Sequence, residues 1–244
     1  MKSMIQSGAI LLLTLAINGL DAHAQNAKEI LENMDRVLYA PKDMTGTNTL
    51  ILIDKNGKEE RREANIMQKG TDKRMMRFTA PASQAGIAVL ALPDDVMYLY
   101  LPAFGKERRI SASVKNQNFA GTDFSYDDME PKPYSEKYTP ELIKTEGDVY
   151  VLELTPVERS DYSKITVQIN NTNFYPEFME YYDQGNTKIK EARYSFEKTG
   201  SYWNAKEIEM TDLKKDHRTK MQMADVKYDT GLSDEEFTVR KLKQ

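Results

Sequence analysis

Four carboxylates, Asp123, Asp127, Asp128 and Glu130, fall within the run NFAGTDFSYDDMEP at 118–131, interleaved with Phe119, Phe124, Tyr126 and Met129. Clustered acids can bind a hard cation through their oxygens, or share a proton when two carboxyls lie close together. Their spacing argues against the cation. A calcium loop needs oxygen ligands at close alternating positions around a mid-loop glycine, and Asp-x-x-x-Asp-Asp supplies neither. The chain has no cysteine and only two histidines, His23 and His217, so a zinc site lacks its usual donors. A Ser/His/Asp triad would have to use His217, which stands in the charged run Lys214-Lys215-Asp216-His217-Arg218 and reads as exposed. The reading that remains is structural. Ser125 with Asp128 three positions later forms a capping pattern for a short helical turn, and Asp123 or Asp127 suits a helix N-terminus. The aromatic residues then point inward, the acids face water or pair with Arg108 and Arg109, and the whole segment is a lid. No catalytic residue, metal ligand or cofactor is expected, and the chain does not read as an enzyme.

A lid needs something to cover. Asn26 is a suitable N-cap with Glu29 at the capping-box position, and Ala27, Ile30, Leu31, Met34 and Leu38 recur at three-and-four spacing. This predicts one amphipathic helix ending near Tyr39, before Pro41. The hydrophobic period then becomes that of strands. Thr49 to Asp54 runs into Asn56-Gly57, a hairpin signal, and the chain returns through Glu63 to Gln68. Arg74 to Thr79, Gly86 to Leu92, Val96 to Leu101 and Lys106 to Ser111 continue the meander. A break rich in Asn, Pro and acids, at about 113–140, holds the acidic run. Strands resume at Glu141 to Thr145, Tyr150 to Leu154, Ile165 to Ile169, Ala192 to Glu197, Trp203 to Met210 and His217 to Tyr228, before a capped turn at Ser233 to Phe237.

The pattern predicts an α+β fold that is predominantly β: a single curved antiparallel sheet of about eleven strands, more than an open twisted sheet carries without curling. The N-terminal helix is too small to cover one face alone, and the central helical and loop insertion is the natural second cover. No internal repeat or low-complexity linker divides the chain. The run Val96 to Leu101 is apolar on both faces, as expected of doubly buried core or of a cavity wall. The pairs Arg61-Arg62 and Arg108-Arg109 suit solvated strand edges.

Bulk composition narrows the function. Lys2, the apolar run from Ala9 to Ile17 and Ala22-His23-Ala24 describe a secretory signal peptide over residues 1–24, leaving residues 25–244 as one exported domain. The apolar run is too short to span a bilayer comfortably, so no stable membrane anchor is expected, and the absence of cysteine also removes a lipid-modified N-terminal cysteine. A net charge of −4 with well-mixed signs offers no basic face to nucleic acid.

Four features taken together resemble the LolA-like group of outer-membrane lipoprotein-sorting proteins. They are FTAPASQAGIAVL at 78–90, YLYLP at 98–102 followed by RRI at 108–110, FAGTDFSYDDM at 119–129, and the leading helix behind a signal peptide. The resemblance implies an incomplete barrel with helices plugging its open side and an apolar hollow between them. It further implies a periplasmic carrier that shelters acyl chains of a lipid or lipoprotein, with an inner-membrane transporter as donor and an outer-membrane acceptor. The residues expected to line hollow and lid are Leu99, Leu101, Phe119, Phe124, Tyr126, Met129, Met76 and Met223, the methionines because a thioether adapts to an exchangeable apolar guest. The alternative is an exported interaction module that docks onto a membrane transporter without carrying lipid.

Overall fold

A computed structural model describes residues 26–244. The expected signal peptide lies outside the described residues. Helix α1 (residues 26–38) comes first, and its Ala27, Ile30, Leu31 and Met34 are at most 3% exposed. The three-and-four spacing gathers them on one face, which packs into the concave side of the sheet beside Leu50, Leu52 and Met76.

The sheet is one antiparallel assembly of thirteen strands: β1 (Asp43–Ile53), β2 (Glu59–Lys69), β3 (Lys73–Ala80), β4 (Ala88–Leu92), β5 (Val96–Leu101), β6 (Lys106–Arg109), β7 (Tyr138–Glu146), β8 (Val149–Pro156), β9 (Tyr162–Asn170), β10 (Pro176–Asp183), β11 (Lys188–Thr199), β12 (Tyr202–Asp212) and β13 (His217–Tyr228). Their spatial order is β6-β5-β4-β3-β2-β1-β13-β12-β11-β10-β9-β8-β7. The chain therefore winds outward from β1 to one edge, crosses to the opposite edge, and winds back until β13 pairs with β1. The two unpaired edges, β6 and β7, are consecutive in sequence. Whatever joins them must span the opening of the curved sheet, and the joining segment, 110–137, contains the acidic run.

The curved, open, predominantly β architecture is as expected, with more strands than expected. β10 was missing from the pattern. It starts at a proline, and Phe178-Met179-Glu180-Tyr181-Tyr182 hides its alternation because the outward aromatic rings are also covered: the Arg193 guanidinium lies 4.5 Å from the Phe178 ring centre and the Lys164 ammonium 5.1 Å from that of Tyr182. The doubly apolar character of Val96–Leu101 has a similar origin. Met97 points into the main core, while Tyr98 and Tyr100 face a second cluster on the outer side, built from Met75, Ala88, Leu90, Phe237 and Leu242. The C-terminal segment, ending in helix α3 (Val239–Leu242), supplies that outer cover. Asp43 ties it down by accepting from the Thr230 amide and hydroxyl and the Gly231 and Leu232 amides, at 2.8 to 3.1 Å. Burial alone would raise the Asp43 pKa, but these donors outweigh it and hold the carboxyl below its ordinary value.

Candidate functional site

The segment between the sheet edges folds as a small hairpin of its own. Asn118 and Ser125 form a bridge, the Phe119 amide donates to Phe124 O at 2.8 Å, and the Tyr126 and Asp127 amides donate to Gln117 O and Lys115 O at 3.1 and 2.9 Å. Its tip turns through Ala120 and Gly121, both left-handed with φ of 49° and 77°, a conformation that glycine adopts without cost and alanine does not. Ser125 and Asp128 make the reciprocal bonds of a capping box. The Ser125 amide and hydroxyl donate to Asp128 Oδ2 at 2.7 and 2.8 Å, and the Asp128 amide donates to Ser125 Oγ at 3.1 Å. The 3-10 turn Asp127–Met129 follows, as the serine-to-aspartate spacing predicts.

Polar contacts fasten this lid to three parts of the sheet. Asp123, 1% exposed, places Oδ2 2.7 Å from both His217 Nδ1 and Thr219 Oγ1 on β13. Its amide donates to Thr219 Oγ1 at 3.0 Å, and its carbonyl accepts from Lys190 Nζ of β11 at 2.9 Å. Buried Arg62 of β2 donates to Ala120 O. Farther along, Asp127 pairs with Lys137 at 2.6 Å and Glu130 with Lys115 at 2.9 Å. Helix α2 (Tyr134–Lys137) is capped from α1, where the Asp35 carboxylate accepts the Tyr134 and Ser135 amides at 2.8 Å each. Burial dominates there and raises the Asp35 pKa despite both bonds.

None of the acids pairs with Arg108 or Arg109, and Asp123 is buried while Asp127, Asp128 and Glu130 are half-buried, which corrects the sequence expectation. Both arginines lie on the edge strand β6, where the Arg108 guanidinium sits 5.8 Å from the Phe104 ring centre. Partners from the lid, α2 and β13 reach the acids instead. His217 is likewise not simply exposed, because its ring meets buried Asp123. The arrangement is not a nucleophilic triad, since His217 and Thr219 both address Asp123 rather than one another. Among the described residues no three His, Cys, Asp or Glu side chains converge as an ion-holding group.

Beneath the lid lies a hollow of about 220 Å³. Its walls carry Met76, Ile165, Tyr181, Met210, Met221 and Met223 from the sheet, Leu38 and Tyr39 from the end of α1, and Phe124 and Met129 from the lid. Trp203, the single tryptophan, lines it near Phe196 and Tyr228. The void exceeds the roughly 150 Å³ apolar cavity that accepts benzene and falls short of the roughly 300–1,000 Å³ usual for drug-sized guests. Desolvation raises the Tyr134, Tyr181 and Tyr194 pKa values, the last to about 12. Their hydroxyls point at the Met179 sulfur, a weak acceptor, at 3.4 to 3.7 Å. A polar cleft of about 580 Å³ adjoins the hollow along the seam and shares Asp127, Glu130, Lys132, Lys137 and Tyr138 with it.

Of the residues predicted for the site, Met76, Met223, Phe124 and Met129 are brought together around the hollow. Phe119 and Tyr126 are buried but turned elsewhere. Phe119 stacks on Phe78 with ring centres 5.7 Å apart, and Tyr126 meets Phe119 edge-on at 5.5 Å. Leu99 packs partly against the core, and Leu101 is half-buried at the end of β5. Sequence reasoning missed Asp35, Arg62, Arg74, Thr219 and the inward role of His217. The paired arginines at 61 and 62 suit a strand edge by residue type, yet β2 lies between β1 and β3.

A family model whose description reads "Uncharacterized protein" matches residues 70–244. No curated protein sequence matches the chain. Among solved structures, an outer-membrane lipoprotein-sorting protein domain from Vibrio parahaemolyticus is 27% identical, with a TM-score of 0.85 over 91% of this chain and 100% of its own. A DUF1329 family protein from Desulfovibrio piger is 25% identical, with a TM-score of 0.85 over 90% of this chain and 99% of its own. A LolA superfamily protein from Nitrosomonas europaea is 25% identical, with a TM-score of 0.76 over 88% of this chain and 98% of its own.

Proposed function

The chain belongs to the LolA-like group of lipoprotein-sorting proteins, and from that premise we propose that it is a periplasmic carrier: it shelters acyl chains of a lipid or lipoprotein and passes them toward the outer membrane without covalent chemistry. The observation that carries the reading is the apolar hollow lying beneath a separately folded, polar-fastened lid. Each methylene moved from water into the hollow gains about 0.8 kcal/mol, so a chain of roughly 16 carbons gains at most roughly 12 kcal/mol before ordering costs. At about 220 Å³ the hollow is too small for such a chain. Entry therefore displaces the lid, and Phe124 and Met129, which line the empty cavity, give up their places to the guest. Six methionines in the wall, Met44, Met76, Met129, Met210, Met221 and Met223, suit a surface that repacks around different chains. A donor in the inner membrane and an acceptor at the outer membrane complete the path.

Trp203 supplies the test. A fatty acid brominated along its chain should quench the single tryptophan saturably, and natively purified protein should release lipid on extraction for mass spectrometry. Protein that is repeatedly empty and shows no saturable quenching would overturn the carrier reading and leave docking onto a transporter in its place.

A further inference from the structure

Arg74 is the second residue of β3 and pairs in register with Gln68, the second-to-last residue of β2. It shares strand parity with Met76 and Phe78, which point into the interior, so its side chain enters the hollow close to the end of the sheet rather than in its depth. There the guanidinium makes three polar contacts. Its Nε and Nη2 donate to Gln68 Oε1 at 2.9 and 2.6 Å, and its Nη1 donates to Met129 O at 3.2 Å. A guanidinium carries five N–H donors in a fixed fork, so two remain.

None of these contacts neutralises the charge. The carboxylates around the hollow hold other partners: Glu130 pairs with Lys115, Asp127 with Lys137, Asp128 accepts from Ser125, and Asp43 from its four donors, so Glu130 reaches Arg74 only through its field. The adjacent phenols do not answer it either, since burial pushes Tyr39 up to about 12 and raises Tyr134 well above the ordinary tyrosine value. Burial also lowers the pKa of Arg74 itself. Arg74 is half-buried, and a charge largely withdrawn from water is ordinarily paired, because leaving it unpaired forfeits hydration without return. Among the described residues Arg74 makes no ion pair, yet it lines an apolar chamber.

We propose that Arg74 is the rim anchor for the anionic headgroup, a carboxylate or phosphate monoester, of a single-chain amphiphile whose tail fills the hollow. The proposal rests on the carrier reading and adds a headgroup preference to it. A planar oxyanion matches the guanidinium fork through two parallel hydrogen bonds. Arg74 stands with the charged groups Asp43, Glu130 and Lys132 on the wall, which elsewhere carries thioethers and aromatic rings for the tail.

Four probes of equal chain length test this against the intact protein, read by Trp203 fluorescence: palmitic acid, palmitoyl lysophosphatidic acid, hexadecanol and methyl palmitate. One or both anions should bind at least about tenfold more tightly than the alcohol and the ester, and Arg74→Gln should narrow that ratio to about twofold or less. Whichever anion leads identifies the headgroup as carboxylate or phosphate. The wild-type ratio decides the matter even if Arg74→Gln fails to fold, and Arg74→Lys, which keeps the charge and loses the fork, should give an intermediate ratio. Equal binding of all four probes by the wild type overturns the anion anchor and leaves the carrier reading standing. A ratio that survives Arg74→Gln also overturns it. No saturable binding of any probe overturns both.

Discussion

Replacing Asp123 with alanine should release the lid while leaving the sheet folded. The substitution removes two side-chain contacts, from Thr219 Oγ1 and His217 Nδ1, each 2.7 Å long. It keeps the backbone contacts of residue 123 with Thr219 and Lys190. Hydrogen bonds to a charged group contribute about 1.5–3 kcal/mol each. The two bonds would sum to about 3–6 kcal/mol, but His217 retains some exposure and can rehydrate, which discounts its share below that range and leaves about 2–4 kcal/mol in all. If the lid opens as a local unit, that energy appears directly in its opening equilibrium, at tenfold per 1.4 kcal/mol. Hydrogen exchange should then quicken by about 30- to 700-fold at the amides of Thr122, Tyr126 and Asp127, whose acceptors lie within the lid hairpin. Amides of β9 and β10, remote in strand order from β13, should keep their wild-type rates. Equal acceleration of lid and sheet amides would refute the reasoning, because the lid would then be part of the cooperative core and could not move aside for a guest.

Two further perturbations follow from the same contacts. Phe124→Ala removes a lid ring from the wall of the hollow; it should lower stability by about 3–5 kcal/mol and raise uptake of bulkier acyl chains, and quenching of Trp203 that does not rise would count against Phe124 as a wall residue. Asp43, whose carboxyl titrates below the ordinary aspartate value, contributes stability that is present above that value and lost as pH falls through the folded-state value. The C-terminal cover should therefore loosen selectively in acid, seen as faster exchange of the Leu242 amide, which donates to Thr238 O at 2.9 Å. In Asp43→Asn that loosening should already be present at neutral pH and change little on acidification; an acid profile identical to wild type would sink the assignment.

How much of this was legible beforehand can be argued from strand parity. Helix α1, the meander, the capping box of the lid and the covering role of the central insertion all follow from short-range patterns, because helix period, turn residues and a serine-to-aspartate spacing act within a few residues. The contacts that hold the lid come from strands more than forty residues away, and no local pattern brings Asp123 to His217. Parity nevertheless carried a signal. On β13, His217 and Thr219 share a face with Met221 and Met223; on β2, Arg62 and Gln68 share one with Ala64 and Ile66; on β3, Arg74 shares one with Met76 and Phe78. Polar residues in phase with an apolar stripe belong to the interior unless the strand ends before them, and such interior positions demand partners. Reading residue type alone sent Arg62 and His217 to the surface. Reading phase would have sent both inside, together with Arg74, and the acids and carbonyls of the one segment that must bridge β6 to β7 were the partners left to meet the first two. Arg74 found a glutamine and a single lid carbonyl instead of a carboxylate, so the same phase argument that explains how the lid is held also marks an inward cation on the wall of the hollow that, among the described residues, forms no ion pair.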